Sequence, residues 1–136
     1  MTTELFYLTL TALLLASLWI PYIVGVNMLP DEGDPQAAFI RPHDLFKLPA
    51  WVHRAHRAHL NLLEQFAPFA ALVLIAHALG VSTTVTVWAA AAFFWLRVIH
   101  AVGMISGIAK FPVRPIIFVA GYVMILLIGW QVIAGT

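Results

Sequence analysis

Cysteine is absent from the sequence, which excludes disulfides, thiolate metal sites and a cysteine nucleophile, and leaves the redox compartment unreadable. Charge is almost as scarce. Asp, Glu, Lys and Arg make up 10% of the chain against 62% hydrophobic residues, whereas a soluble domain is roughly 25% charged and about 45 to 50% apolar. Too few polar residues remain to cover a water-facing surface, so the solvent for most of the chain is lipid. Seven basic and six acidic residues leave a net charge of +1, which supplies no basic field for nucleic acid. Low-complexity tracts and a repeat of helix-pair length are also missing, so an inverted-repeat transporter has no support.

What the chain does contain is long apolar runs. A bilayer with roughly 30 Å of hydrocarbon is spanned by about 20 helical residues, and 136 residues allow four such spans. The first run, Leu5 to Leu29, carries no charge and only Thr9, Thr11, Ser17 and Asn27 as polar interruptions. A signal peptide is its rival, but Glu4 stands where a basic start belongs and no small-residue cleavage site follows. Leu60 to Leu79 contains Asn61, Glu64, Gln65 and His77, Val85 to Ile108 carries Arg97 and His100, and Ile116 to Ile133 is again uncharged. The expectation is an all-α integral membrane protein, a four-helix bundle forming one domain over residues 1–136. Its helices are expected at about 4–29, 52–79, 83–108 and 113–134, with bends at Pro21 and Pro68.

The connections carry the punctuation. Prolines 30 and 35 with Gly33 end the first helix and open a polar loop over about 30–51. Ser82 or Thr83 is placed to cap the third helix and close a tight hairpin. Lys and Arg fall in or beside the first and third connections and are missing from the second and from both termini. By the positive-inside rule, the first and third loops are cytoplasmic and both termini lie outside.

Charges within spans are costly, at roughly 2.5 to 3.5 kcal/mol each near the helix centre, so Glu64 and Arg97 are expected to face the bundle interior. At about 100° per residue, Arg54, Arg57, Asn61 and Glu64 form one stripe about 80° wide, while His56 and His59 point elsewhere. Arg97 and His100, three residues apart, share a face with Met104. A structural ion pair between Glu64 and Arg97 or Arg57 remains the plain alternative. Against it stands arithmetic: arginines outnumber the one glutamate, and surplus positive charge in the bilayer calls for an anion. His100 reads as a hydrogen-bonding residue and His53, His56 and His59 as interfacial, so no metal is expected. The five tryptophans read as lipid or interface anchors.

These residues also carry a resemblance. Arg54-Ala-His-Arg57-Ala-His59-Leu-Asn61-Leu-Leu-Glu64, then Phe66-Ala-Pro68-Phe69, resembles the second-helix signature of the membrane-associated proteins in eicosanoid and glutathione metabolism, the MAPEG family. Arg97-Val-Ile-His100 resembles the family's third-helix Arg-x-x-His, and Pro112-Val-Arg114 the Pro-x-Arg that opens its fourth helix. The resemblance implies a homotrimer that binds glutathione between subunits, near the cytoplasmic side, as co-substrate for reactions on lipophilic small molecules. It implies that Arg57, Asn61, Glu64, Arg97 and His100 bind glutathione and that Arg114 is catalytic, stabilising the thiolate. Glutathione has two carboxylates, one ammonium and a thiol, so arginines with one glutamate and one asparagine suit it chemically. Met104 departs from the family pattern where many members have a tyrosine one turn after the histidine, and Pro115 and Phe118 where eicosanoid-forming members have a serine and a tyrosine, so three hydrogen-bond donors are missing. That disfavours eicosanoid synthesis; Tyr122 is the candidate substitute donor. The expected function is a glutathione-dependent membrane transferase or peroxidase. The alternatives are a non-catalytic relative that binds lipid or partners, and a small exporter using Glu64 as a proton-coupled site.

Overall fold

A computed structural model describes residues 1–28 and 44–135; residues 30–35 and Arg41 of the expected polar loop lie outside them. Four α-helices and a short 3-10 turn at Leu45–Lys47 make up the described architecture: α1 Thr3–Asn27, α2 Ala50–Ala78, α3 Thr84–Ser106 and α4 Val113–Ala134. All four are long and apolar enough to cross a membrane. Local chemistry sets their ends. Thr2 caps α1 by accepting from the Leu5 amide, and α2 starts at Ala50, two residues earlier than expected, directly after Pro49. Thr83 and Thr86 form a reciprocal capping box on α3. α3 stops at Ser106, short of the expected 108, because Gly107 adopts a left-handed φ of 80°.

The arrangement is a diamond. α2 and α3 touch each other and both outer helices, while α1 and α4 do not meet. Leu18, Leu62, Phe69, Val73, Ala89, Phe93 and Ile128 fill the centre, with Phe69 and Phe93 stacked at 4.0 Å. At one end Gly25 lets α2 approach the α1 backbone, since a Cβ there would lie 2.8 Å from the Trp51 ring. Outside, the surface is greasy: Trp19, Trp88, Trp95 and Trp130 are exposed, with Leu13, Val102, Ile116 and Ile133, as lipid contact requires. The hydroxyls of α1 avoid lipid by donating to their own helix, Thr9 to the Leu5 carbonyl, Thr11 to Tyr7 and Ser17 to Leu13. Pro21 and Pro68 both lie inside continuous helices.

Candidate functional site

The buried positions of α2 are Val52, Ala55, Ala58, Leu62, Gln65, Phe69, Val73 and Ala76, a seam with the three-four spacing of packed helices. That seam corrects the expectation for Glu64. It brings Gln65 into the bundle and turns Glu64 outward, where it is exposed on the same side as Arg57. No Glu64–Arg97 pair forms within the chain. Gln65 Nε2 donates to the Phe118 carbonyl at 3.1 Å, and Arg97, only 1% exposed, donates from Nη2 to the neighbouring Ile117 carbonyl at 2.9 Å. The Arg97 guanidinium lies 5.5 Å from the Phe93 ring centre and 5.6 Å from that of Phe118. Its Nε and Nη1 have no partner, nor does Gln65 Oε1. Arg97 and Gln65 thus hold α4 from inside, one turn above Arg114.

Arg54, the first residue of the stripe, is engaged outside the cleft that Arg57 lines. Its Nε and Nη2 both donate to the Ile105 carbonyl at 3.4 Å, and its guanidinium covers Gly107, so it caps the C-terminal end of α3. Cations are favoured there by unpaired carbonyls and the helix dipole. His56 turns to α1 and stacks on Tyr22 at 4.3 Å.

Below the level of Arg97, the first half of α2, the end of α3 and the start of α4 enclose a cleft of about 550 Å³, within the range of about 300 to 1,000 Å³ typical of small-molecule sites. One part of its wall is Arg57, Asn61, His100, Lys110 and Arg114; the other is Phe111, Pro115, Phe118 and Val119. Three basic side chains converge with an amide and an imidazole, and among the described residues no carboxylate lines the cleft. His100 is buried, and its Nε2 has no hydrogen-bond partner among the described residues. Arg114 is half-buried in the first turn of α4. Of the residues expected to bind glutathione, the cleft therefore unites Arg57, Asn61 and His100 with Arg114. Arg97 sits behind it in the core, and Glu64 stands outside on the exposed stripe. Tyr122, the candidate substitute donor, is exposed elsewhere on α4, and Met104 is buried in the bundle, so neither lines the cleft.

Sequence reasoning overlooked Lys110, which it used only for orientation, and Gln65. Both were signalled: Lys110 lies four residues before Arg114 across a proline-marked turn, and Gln65 falls in phase with Leu62 and Phe69. The cleft's chemistry is that of an anion site with an apolar annex. Cationic groups can receive carboxylates through charge-assisted hydrogen bonds, while the aromatic side admits a lipophilic molecule.

Among described residues, no group of three or more His, Cys, Asp or Glu side chains is placed to hold a metal. The model of the MAPEG family matches residues 6–134. No curated protein and no solved structure gives a match.

Proposed function

Since the chain belongs to the MAPEG family, and is a multi-pass membrane protein of the group that handles glutathione and eicosanoids, we propose that it is a glutathione-dependent transferase or peroxidase acting on lipophilic electrophiles or hydroperoxides. The observation that carries this reading is the convergence of Arg57, Lys110 and Arg114 with Asn61 and His100 on a cleft that no carboxylate lines among the described residues. Glutathione bears two carboxylates and, once activated, a thiolate; a surplus of fixed positive charge is the complement it needs. Arg57 and Lys110 take carboxylates, Asn61 offers both donor and acceptor to the peptide backbone, and Arg114 lies at the thiol. The apolar side at Phe111, Pro115, Phe118 and Val119 takes the second substrate from the membrane. Arg97 acts through α4, as a positioning residue. On this reading the first and third connections face the cytoplasm, which supplies glutathione, and the termini face the other side.

Binding tests the first half of the proposal. Calorimetry or equilibrium dialysis in detergent is expected to show glutathione binding at millimolar concentration or below, and no binding there overturns the reading. Loss of a charge-assisted hydrogen bond costs about 1.5 to 3 kcal/mol, so Arg57→Ala is expected to raise the Kd roughly ten- to a hundredfold.

The homotrimer belongs to this reading, and the exposed stripe on α2 supports an interface between subunits. Glu64 and Arg57 both project from the subunit, and a carboxylate facing lipid is costly. A neighbouring subunit covers that stripe, so that Glu64 meets a cation or the glutathione ammonium across the interface. Glu64→Gln is therefore expected to weaken trimer retention in native mass spectrometry or to lower glutathione affinity. An unchanged trimer with unchanged affinity would remove Glu64 from the interface.

The non-catalytic alternative has one observation in its favour: Pro115 and Phe118 put apolar groups in the cleft beside Arg114, where relatives that form eicosanoids offer donors. Turnover of a generic electrophile or a lipid hydroperoxide separates the two, because a lipid-binding relative would bind without turnover. The exporter reading required Glu64 on a path through the bundle, and Glu64 faces outward instead.

A further inference from the structure

At the end of the bundle opposite the arginine cleft, Glu4 is 5% exposed although it lies in the first turn of α1. Its Oε1 accepts from Ser82 Oγ at 2.8 Å and from Thr86 Oγ1 at 2.7 Å. Its Oε2 is buried and has no hydrogen-bond partner among the described residues. Glu4 also lines a cavity of about 240 Å³ between the start of α1, the end of α2 and the α2–α3 turn. No Lys or Arg occurs in the α2–α3 turn or near either terminus, and the cation-capable groups that this end does carry, the Met1 amine and His77, make no hydrogen bond to Glu4 Oε2.

We propose that this cavity is a binding site for a primary ammonium group, held by Glu4. A bare carboxylate oxygen is complemented best by a cationic N–H donor, and leaving it buried without one is costly. The cavity is several times the roughly 30 Å³ share of one water molecule, larger than an inorganic ion needs. Val73, Ala76 and Val81 give it an apolar side against which a short methylene stem packs, and Ser82 and His77 add polar groups. The cavity lies where the helices end, at the level of lipid headgroups. An aminophospholipid headgroup or a free alkylamine presents the required chemistry there.

Thermal unfolding of the purified protein in amine-free detergent tests this, with ethylammonium, tetramethylammonium and potassium chlorides at equal ionic strength. Ethylammonium alone is expected to raise the midpoint saturably, since tetramethylammonium has no N–H. Glu4→Gln keeps an acceptor for Ser82 and Thr86 but puts an amide donor at Oε2, and is expected to abolish the shift. Native mass spectrometry with phosphatidylethanolamine and phosphatidylcholine of equal chain length identifies the source. Preferential retention of phosphatidylethanolamine, lost in Glu4→Gln, assigns the ammonium to lipid; equal retention beside a selective ethylammonium shift assigns it to a free amine. A potassium shift equal to that of ethylammonium, no shift with any salt, or an unaltered shift in Glu4→Gln overturns the proposal. Should Glu4→Gln fail to fold, the comparison of the three salts on the wild-type protein still decides.

Discussion

Arg114→Ala is expected to lower turnover by roughly 10²- to 10³-fold, the usual cost of removing one preorganised donor from a developing or resident anion, while leaving much of the glutathione affinity intact. The reason lies in the first turn of α4. A helix N-terminus ordinarily offers several free amides to an anion, but here the Arg114 and Ile116 amides donate to the Lys110 and Pro112 carbonyls, and Pro115 has no N–H. The backbone has little left to give, so the Arg114 side chain is the principal donor this turn can present to a sulfur. A thiol with an unperturbed pKa near about 8.5 is only a few per cent thiolate at neutral pH, and a guanidinium within hydrogen-bonding reach shifts it toward the charged form. The sign of the pH dependence follows. As the pH rises past the unperturbed value, unassisted thiolate becomes abundant, so the deficit of Arg114→Ala is expected to be largest near neutrality and to shrink in alkali. Ultraviolet absorbance of the bound thiolate, titrated with pH in wild type and variant, reads this directly. Superimposable curves would mean that Arg114 meets lipid phosphate and does not activate the thiol.

The family resemblance implied one site for Arg57, Asn61, His100 and Arg114, and the structure brings these four to one cleft. The error at Glu64 has a physical source. In water, an apolar stripe marks the buried side of a helix; in lipid, the outside is as apolar as the core, and hydrophobic periodicity loses that meaning. The stripe of Arg54 to Glu64 was visible, but its direction was not. Only the seam through Ala55, Ala58, Leu62 and Gln65, rich in small residues that permit close approach, could have shown which side faced inward. Arg54 stood in the stripe only as surplus positive charge, because its contact with the end of α3 spans 51 residues and does not appear in the sequence. The helix count, by contrast, followed from run length and breakers, which act locally. Thr83 and Gly107 ended up as cap residues through their own chemistry.

The largest effect expected on stability comes from the smallest side chain, at Gly121. This residue is buried in α4, and a Cβ built on it would lie 2.8 Å from Gln65 Oε1 and 2.9 Å from Arg97 Cζ, and would press on Arg97 Nη2. Flexible side-chain ends can usually retreat from such a contact. These cannot do so freely: Phe93 and Phe118 flank the guanidinium, and retreat breaks the bonds to the Ile117 and Phe118 carbonyls. Overpacking costs about 1 to 3 kcal/mol and a lost bond from a charged donor about 1.5 to 3 kcal/mol, against a gain of about 1 kcal/mol in helix propensity. Gly121→Ala is therefore expected to destabilise by roughly 2 to 4 kcal/mol, read as a lower unfolding midpoint in detergent. Gly129, two turns along the same helix, is the control. Its added Cβ would meet only Leu72 at 3.4 Å, so Gly129→Ala is expected to be neutral or mildly stabilising. Shortening the guanidinium arm in Gly121→Ala/Arg97→Met is expected to recover much of the loss, because the methyl group then has room and no buried charge loses its acceptor. Additive losses in that double variant would show that Gly121 makes room for something other than Arg97. A rescue of stability without a rescue of glutathione affinity would assign Arg97 to holding α4, and with it Arg114, in place.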